Sequence, residues 1–276
     1  MIGFFDSGFG GLTVMKEYLK KYPEFNYVYL GDQANAPYGP HSKERVIRLT
    51  LCGIDYLIKK GCKLIIVACN TASADALRTA QQKYKGKPVI LGVIVPTAEI
   101  TLSSTRFGTI GLIATRGTVD SGAYERELGK YVSYYNPEDK RARENVILHQ
   151  QACPLLVPLT EEGMTDHPAT RMILKNYLRP LKNANVDTLI LGCTHYPLLK
   201  KEIQRIMGKS CKIISSAEAA VESIGRYFTR HPEVKESLSH GKKREFLTTD
   251  CPERFAELGK KFLGEKIKVA KIELTC

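Results

Sequence analysis

Two cysteines lie in matching settings along the sequence, and their side chains could do chemistry. Cys69 follows the apolar run Leu64–Ala68, and Cys193 closely follows the apolar run Thr188–Leu191. Both runs are typical of buried strands, so each thiol is expected at the carboxyl end of a strand, where open α/β sheets bind ligands. A thiolate can act there as a nucleophile, a metal ligand or a base.

The two halves of the chain resemble each other around these cysteines. Ile2–Ser7 matches Ile110–Thr115 in pattern, and Ile65–Thr71 matches Leu189–His195. If the halves face each other, the two thiols flank one cleft, and a cleft between domains is a usual ligand site. One thiolate would then remove a proton from a carbon, and the opposite thiol would deliver a proton to its other face. That reaction is racemisation.

Residues beside the cysteines offer the groups that such a reaction needs. Asp6 and His195, one in each half, are placed to tune the two thiols. A thiol pKa of about 8.5 must fall, or a base must lie nearby, to give a thiolate at neutral pH. Hydroxyl and amide groups that could hold a substrate belong to Ser7, Asn70, Thr71 and Thr194.

Each of these residues also has a structural or an alternative chemical interpretation. Asp6 could cap the following helix, Asn70 and Thr71 could be N-caps, and His195 could be a turn residue. A zinc site from Cys69, Cys193 and His195 stays open, although Cys-x-His is a weak ligand spacing. A redox dithiol also stays open, although such pairs are usually CxxC, which the chain lacks.

The elements that must position these residues alternate between strand and helix. Their apolar runs are continuous, as expected for strands buried on both faces, so we predict an α/β protein with a parallel, helix-flanked sheet. Ser42 is expected to cap a helix that Gly61 ends. We predict strands at 2–5, 27–30, 64–68, 89–95, 108–113, 131–135, 188–191, 212–215, 245–249 and 266–273. We predict helices near 12, after 42, at 73–85, from 96, and at 118–129, 166–182, 197–207, 217–229 and 252–263. Residues 136–150 are expected to form a loop or poor helix, and 153–163 an irregular segment.

Length and composition exclude several classes of protein. The chain has 276 residues, of which 43% are hydrophobic and 25% charged, as is ordinary for a globular protein. No run approaches about 18 uncharged apolar residues, so we expect no transmembrane helix. The N-terminus lacks the basic region of a signal peptide, so we expect a cytoplasmic protein. The eight cysteines are expected to be free thiols.

The net charge of +12 suggests a partner with negative charge. The basic residues are scattered, however, and no zinc-finger spacing, RNP motif or basic stripe with interleaved aromatic residues is present. We interpret the charge as a solvated basic surface and expect no specific nucleic-acid partner.

Five sequence blocks together resemble one enzyme family. They are DSGFGGLTV (6–14), GDQANAPYG (31–39), VACNTASA (67–74), CPLLVPLTEEG (153–163) and LGCTHYPLL (191–199). In this order they are similar to the cofactor-independent aspartate/glutamate racemase superfamily, and CTHYPLL favours its glutamate racemases. Phe9 departs from the family pattern, in which a smaller apolar residue is common.

The resemblance implies a fold and an activity. It implies two similar α/β domains that face a central cleft, the first at 1–95 plus 213–276 and the second at 96–212. It implies interconversion of L- and D-glutamate for peptidoglycan synthesis, without cofactor or metal ion. The expected partners are glutamate and a second copy of the chain in a homodimer, with no membrane.

The resemblance also implies roles for individual residues. Cys69 and Cys193 match the two catalytic cysteines, assisted by Asp6 and His195. Glu161 resembles the carboxylate that orients the histidine, although Glu162 is adjacent. The substrate-binding candidates are Asp6, Ser7, Tyr38, Gly39, Asn70, Thr71, Thr194, His195 and Glu161, with Thr115 and Thr118 for the substrate carboxylates.

Two other classes of function stay open in the sequence. One is a non-catalytic binding role, which would need a clustered basic face. The other is a racemase for a different amino acid or a hydantoin, which would differ in the residues that line the side-chain end of the cleft.

Overall fold

The computed structural model of the protein describes residues 1–86, 88–134 and 146–275. In this part of the chain, all pairings between strands of the two sheets are parallel. The strands are β1 (Ile2–Asp6), β2 (Tyr27–Gly31), β3 (Leu64–Val67), β4 (Val89–Gly92), β5 (Thr109–Ala114), β6 (Ile147–Ala152), β7 (Thr188–Gly192), β8 (Lys212–Ser215), β9 (Arg244–Thr248) and β10 (Val269–Lys271). Their order is β10-β9-β2-β1-β3-β4 in the first sheet and β6-β5-β7-β8 in the second.

Helices flank both sheets. They are α1 (Leu12–Lys21), α2 (Lys43–Lys59), α3 (Asn70–Asp75), α4 (Leu77–Lys83), α5 (Ile94–Ser104), α6 (Arg116–Asp120), α7 (Ala123–Tyr134), α8 (Leu156–Glu161), α9 (Pro168–Asn183), α10 (Lys200–Met207), α11 (Ser216–Arg230), α12 (Pro232–Glu236) and α13 (Pro252–Leu263), with 3-10 turns at Gln33–Asn35 and Tyr196–Leu199. The predicted α/β fold with parallel, helix-flanked sheets is confirmed. None of the helices in the described ranges is long and apolar enough to cross a membrane.

Local sequence signals fix several ends of these elements. The Ser42 side chain accepts a hydrogen bond from the Arg45 N–H and caps α2, as predicted. Gly61, just after that helix, has a φ of +83°, a conformation that favours glycine. β1 is buried along its whole length, which explains its continuous apolar run.

The chain forms four strands of the first sheet, then the second sheet, and then two more strands of the first sheet. β1–β4 belong to the first sheet, β5–β8 to the second, and β9 and β10 to the first again. A domain boundary at residue 213 cuts through β8, because Ile213 pairs with Leu189 of β7 and lies in the second sheet. The change of sheet therefore falls after Ser215, while the division into two domains stays a prediction.

Three predictions of local structure were wrong in the second half. The strand predicted at 131–135 is helical up to Tyr134, where α7 ends, and residue 135 lies outside the described part. β6 occupies 147–152 and so overlaps the end of the predicted loop or poor helix at 136–150, of which 136–145 lie outside the described part. β6 is an edge strand with half-exposed polar residues, so it lacks the continuous apolar run of a buried strand. The segment at 153–163, predicted as irregular, contains α8.

The cysteines differ from the expectation at one position. Cys52 is disulfide-bonded, so the prediction of eight free thiols is wrong there. The free cysteines in the described ranges are Cys62, Cys69, Cys153, Cys193, Cys211 and Cys251.

Candidate active site

A narrow cleft lies where the carboxyl ends of the central strands of the two sheets meet. Its cavity volume is about 30 Å³. The lining residues are Ser7, Gly8, Ala36, Pro37, Tyr38, Gly39, Cys69, Asn70, Thr71, Thr115, Val157, Glu161, Cys193, Thr194 and His195. Eleven of the thirteen site residues predicted from the sequence are in this set, and Asp6 and Thr118 lie behind it.

Cys69 enters the cleft from the first sheet at the end of β3. It is the N-cap of α3, where its Sγ accepts a hydrogen bond from the Ala72 N–H at 3.5 Å. Asn70 and Thr71, weighed as N-caps, are instead the first two residues of that helix. The Cys69 thiol donates to the Ser7 hydroxyl at 3.5 Å. Burial, reinforced by the nearby Asp6 carboxylate, raises the Cys69 pKa to about 11.

Asp6 is buried beneath the turn that follows β1. Its Oδ2 accepts a hydrogen bond from the Gly8 N–H at 3.0 Å, while Oδ1 has no partner within the described residues. Burial raises the Asp6 pKa to about 6, and the neighbouring His195 opposes that rise. Asp6 is therefore no helix cap, since the N-cap of α1 is Gly11, and its charge acts on the cleft from behind the lining.

Cys193 enters the same cleft from the second sheet, at the end of β7. Its Sγ lies 3.8 Å from Nδ1 of His195, whose Nε2 lies 3.0 Å from Oε1 of Glu161. Since a carboxylate accepts, Nε2 carries the proton and Nδ1 is free to accept the thiol proton. Burial and the nearby Cys69 raise the Cys193 pKa above its ordinary value.

The two adjacent glutamates at the end of α8 have different partners. Glu161 contacts His195 as described, whereas the Oε1 of Glu162 lies 2.9 Å from the Arg254 guanidinium of α13. The geometry therefore favours Glu161 as the residue that orients the imidazole.

Hydroxyl groups from both sheets meet at one end of the cleft. The Oγ1 atom of Thr71 lies 2.9 Å from that of Thr115 and 3.2 Å from that of Thr118. The last two lie 3.0 Å apart, which closes a triangle. Each hydroxyl can turn to donate to a carboxylate, and the binding of one here stays a prediction.

Two predicted site residues are held by side chains that sequence reasoning missed. The Tyr38 hydroxyl donates to Asp32 at 2.6 Å. The Asn70 Oδ1 accepts from the buried Tyr124 hydroxyl of α7 at 2.8 Å. Tyr124 lies 54 residues away, and no local pattern signals such a contact. By contrast, Gly8, within DSGFGG, could have been found from the glycine-rich block itself.

The arrangement suits proton transfer between two thiols on opposite walls of one enclosed space. Each thiol has a polar neighbour, Ser7 for Cys69 and His195 for Cys193. Within the described ranges, no three His, Cys, Asp or Glu side chains are grouped so that they could hold a metal ion.

Comparison with known proteins identifies the family of the chain. The sequence profile of the Asp/Glu/Hydantoin racemase family matches residues 12–224. The chain is 42% identical to the glutamate racemase of Geobacter metallireducens, over 96% of this chain and 93% of the relative. It is 39% identical to the glutamate racemase of Corynebacterium diphtheriae, over 96% and 95%.

Solved structures give the same result. A glutamate racemase isoform from Bacillus anthracis superposes with a TM-score of 0.88 at 35% identity, covering 99% of this chain and 97% of that one. The Francisella tularensis glutamate racemase, solved in complex with D-glutamate, gives 0.86 at 30% identity over 99% and 97%. The chain therefore belongs to the Asp/Glu/hydantoin racemase family and, within it, groups with the glutamate racemases.

Proposed function

We propose that the protein is an amino-acid racemase that interconverts L- and D-glutamate and supplies D-glutamate for peptidoglycan synthesis. The observation that carries this proposal is the pair Cys69 and Cys193, which line one narrow cleft from two different sheets. The names of the relatives support glutamate as the substrate, and D-glutamate is bound in the Francisella tularensis structure.

The proposed reaction has two proton transfers. By the family resemblance, the Cys193 thiolate removes the α-proton of L-glutamate, and the Cys69 thiol delivers a proton to the opposite face. D-Glutamate leaves, Cys193 is then a thiol, and Cys69 is a thiolate. The reverse reaction uses the same groups in the opposite order, so both cysteines are needed in both directions.

Burial keeps both cysteines protonated in the free protein, so each needs help to become a base. His195 Nδ1 is positioned to accept the Cys193 proton, and Glu161 would stabilise the resulting imidazolium. On the other side of the cleft, Asp6 immediately precedes Ser7, whose hydroxyl oxygen accepts a hydrogen bond from the Cys69 thiol. We assign Asp6 as the assistant of Cys69.

Charge that develops on the substrate carboxylate also needs donors. We propose that Thr71, Thr115 and Thr118 supply hydroxyl donors at one end of the cleft. The remaining substrate contacts are assigned to Ser7, Tyr38, Gly39, Asn70 and Thr194, of which Tyr38 and Asn70 are fixed by partners of their own.

We further propose a cytoplasmic homodimer of two-domain subunits. Leu155 and Met172, large apolar side chains that are 50% and 61% exposed, offer surface that a second copy could cover. Light scattering coupled to gel filtration gives the mass directly. A monomer at micromolar concentration would contradict the dimer.

The decisive experiment is a circular-dichroism assay of the purified protein with D- and L-glutamate. We expect the signal of either enantiomer to decay to zero, with aspartate and alanine as poor substrates. Cys69→Ser and Cys193→Ser should each abolish decay from both enantiomers. A rate with aspartate equal to that with glutamate would contradict the substrate assignment.

A reaction in D₂O, stopped early, tests the two-base mechanism. Started from L-glutamate, it should give D-glutamate that carries deuterium at Cα, while recovered L-glutamate stays largely unlabelled. Equal labelling of both from the first turnovers would mean that one group both removes and returns the proton.

A further inference from the structure

His195 lines the cleft and has defined partners at both ring nitrogens and beside the ring. Its Nε2 faces Glu161 and its Nδ1 faces Cys193, both on the second-sheet side of the cleft. The rest of the ring is covered by residues from the first-sheet side, namely Phe9 and Phe262. His195 itself is only 5% exposed.

The two phenyl rings form an edge-on cradle around the imidazole. The ring centroid of Phe9 lies 5.8 Å from that of His195 at 65°, and that of Phe262 lies 5.7 Å away at 87°. The phenyl rings also contact each other, with centroids 5.6 Å apart at 68°. Such edge-to-face contacts are favourable for aromatic rings, so three rings fix one another.

Each phenyl ring is itself anchored. Phe9 lies in the turn between β1 and α1 and is 1% exposed, and Phe262 lies near the end of α13 and is 2% exposed. The Phe262 carbonyl accepts a hydrogen bond from Lys16 of α1 at 3.2 Å. The cradle therefore has little freedom to move relative to the first sheet.

We propose that Phe9 and Phe262 are positioning residues, which hold the His195 ring so that Nδ1 faces Cys193 and Nε2 faces Glu161. This proposal rests on the proposed function and deepens it at the Cys193 side. A half-turn of the imidazole about its bond to Cβ puts carbon atoms where the nitrogens lie, and neither hydrogen bond survives. With the two phenyl centroids only 5.8 and 5.7 Å from the imidazole centroid, we infer that the packed rings hinder that turn.

The consequence for catalysis is a geometric one. The Nδ1–Sγ distance of 3.8 Å is already near the upper limit for a hydrogen bond to sulfur, and misplacement of a reacting group by about 1 Å can cost about 100-fold in rate. Removal of one ring should therefore slow proton transfer at Cys193 while leaving Cys69 and the threonine hydroxyls in place.

Kinetic isotope effects can locate the slowed step. In Phe262→Leu we expect kcat to fall about 10-fold with a KM within about twofold of the wild type. With α-deuterated L-glutamate, the isotope effect on kcat/KM should rise, because Cys193 removes that deuteron. With α-deuterated D-glutamate it should fall, because slower protonation by Cys193 lets the carbanion return to Cys69. Phe9→Leu should shift both effects in the same directions and serves as the second variant if Phe262→Leu does not fold.

A matched control separates positioning from stability. Phe228→Leu removes another buried phenyl ring, in α11, which packs on Tyr22 and Phe25. It should destabilise the protein but leave both isotope effects unchanged. Isotope effects in Phe262→Leu and Phe9→Leu that equal those of the wild type would overturn the proposal.

A second readout does not depend on activity. Long-range ¹H–¹⁵N spectra distinguish the tautomers of the six histidines, and His195 should show one Nε2–H tautomer in the wild type and a mixture in Phe262→Leu. An unchanged single tautomer in both phenylalanine variants would overturn the proposal. Should the wild type fail to racemise glutamate, the proposed function fails while this spectrum still tests the cradle.

Discussion

Asp6 is a residue whose charge opposes folding. Burial raises its pKa from 3.8 to about 6, so the folded protein binds the proton more tightly than the unfolded chain does. The carboxyl group therefore contributes stability that is fully present below about pH 3.8 and is lost as the pH rises through about 6. At pH 7, above that pKa, the buried carboxylate is ionised, and its Oδ1 has no partner among the described residues. Strongly shifted pKa values of this kind cluster at functional sites.

The variant Asp6→Asn should therefore be more stable and less active. The free energy of unfolding of the variant minus that of the wild type should grow by up to about 3 kcal/mol between pH 4 and pH 8. This follows because a pKa shift of one unit is about 1.4 kcal/mol. Racemisation should fall at least about 10-fold. Urea titrations of both proteins at pH 4, 6 and 8 give the difference, and a difference that does not change with pH would contradict the pKa shift.

Asp187 is a control, because its pKa is shifted in the opposite direction to that of Asp6. Burial raises its pKa, but hydrogen bonds from the Thr105 hydroxyl and from the Phe107 and Arg106 N–H groups outweigh burial and lower it. Its stabilising contribution is present above about pH 3.8 and is lost as the pH falls through the lowered value. Asp187→Asn should destabilise the protein at pH 7, and the loss should shrink on acidification.

Some residues of the candidate site could be predicted from the sequence, and others could not. Cys69 and Cys193 were identifiable because an apolar strand ends just before each. The position of Asp6 behind the cleft lining was not, because it depends on how the DSGFGG turn folds over the carboxylate. Phe9 was visible as a departure from the family pattern, but its contact with Phe262 joins residues far apart in sequence and only tertiary structure shows it.

At the scale of elements, the turn between β1 and α1 must pass very close to the His195 loop. A Cβ added at Gly10 would lie 2.4 Å from the Thr194 hydroxyl oxygen and 2.5 Å from Cε1 of His195. The Thr13 hydroxyl donates to the Thr194 carbonyl in the same region, at 2.9 Å. Glycine is therefore required at position 10 because the two halves of the site approach there.

The variant Gly10→Ala should push this turn away from His195. We expect it to cost about 1–3 kcal/mol of stability, as for other overpacked sites. We also expect it to lower kcat by roughly 10-fold or more. Gly129→Ala in α7 is the control, since no atom of the described residues outside the local helix backbone lies within 4 Å of the added Cβ. It should keep full activity and gain about 0.5–1 kcal/mol. Equal activity of the two variants would contradict the argument.

Elements with strong local signals were predictable, and those defined by their neighbours were not. The start and end of α2 follow from Ser42 and Gly61. β6 could not be found because an edge strand need not be apolar on both faces, and its pairing with β5 across more than thirty intervening residues defines it. The end of the second sheet was misplaced for a similar reason, because β8 is assigned by its pairing with β7.

At the scale of the whole molecule, the cleft must open before a substrate can bind. Its cavity volume is only about 30 Å³, which is small for a substrate of the size of glutamate. Contacts across the cleft include the Gly117 N–H, which donates to the Gly39 carbonyl at 3.0 Å, and the Thr71–Thr115 hydroxyl pair. These contacts must separate on opening.

Hydrogen exchange can detect this opening. The Gly117 amide should exchange faster than amides within β5, because its hydrogen bond breaks whenever the cleft opens. Racemised glutamate at saturating concentration should slow that exchange and leave β5 unchanged. A Gly117 amide as slow as those of β5, with or without glutamate, would contradict the need for opening.

Part of the positive charge lies in a groove. Lys175, Arg179 and Lys182 of α9 line a groove of about 400 Å³ with Arg205 of α10. We expect weak, sequence-independent DNA binding that fades between about 50 and 200 mM salt. Replacing the three α9 residues by Gln should reduce the slope of log K against log salt by roughly 2–3. The same replacement at Lys20, Lys235 and Lys243 is the control, and an equal effect there would contradict a role for the groove.

The order in which the chain returns to the first sheet has a consequence for synthesis on the ribosome. β1–β4 emerge first, yet their sheet is completed only when β9 and β10 follow the whole second sheet. Until then β2 has an open edge, which is a site for unwanted strand pairing in a nascent chain. α13, which carries Phe262, also emerges after all of the second sheet. The His195 cradle is therefore among the last parts to assemble, and a chain whose translation stops before α13 contains both cysteines but lacks a cradled histidine.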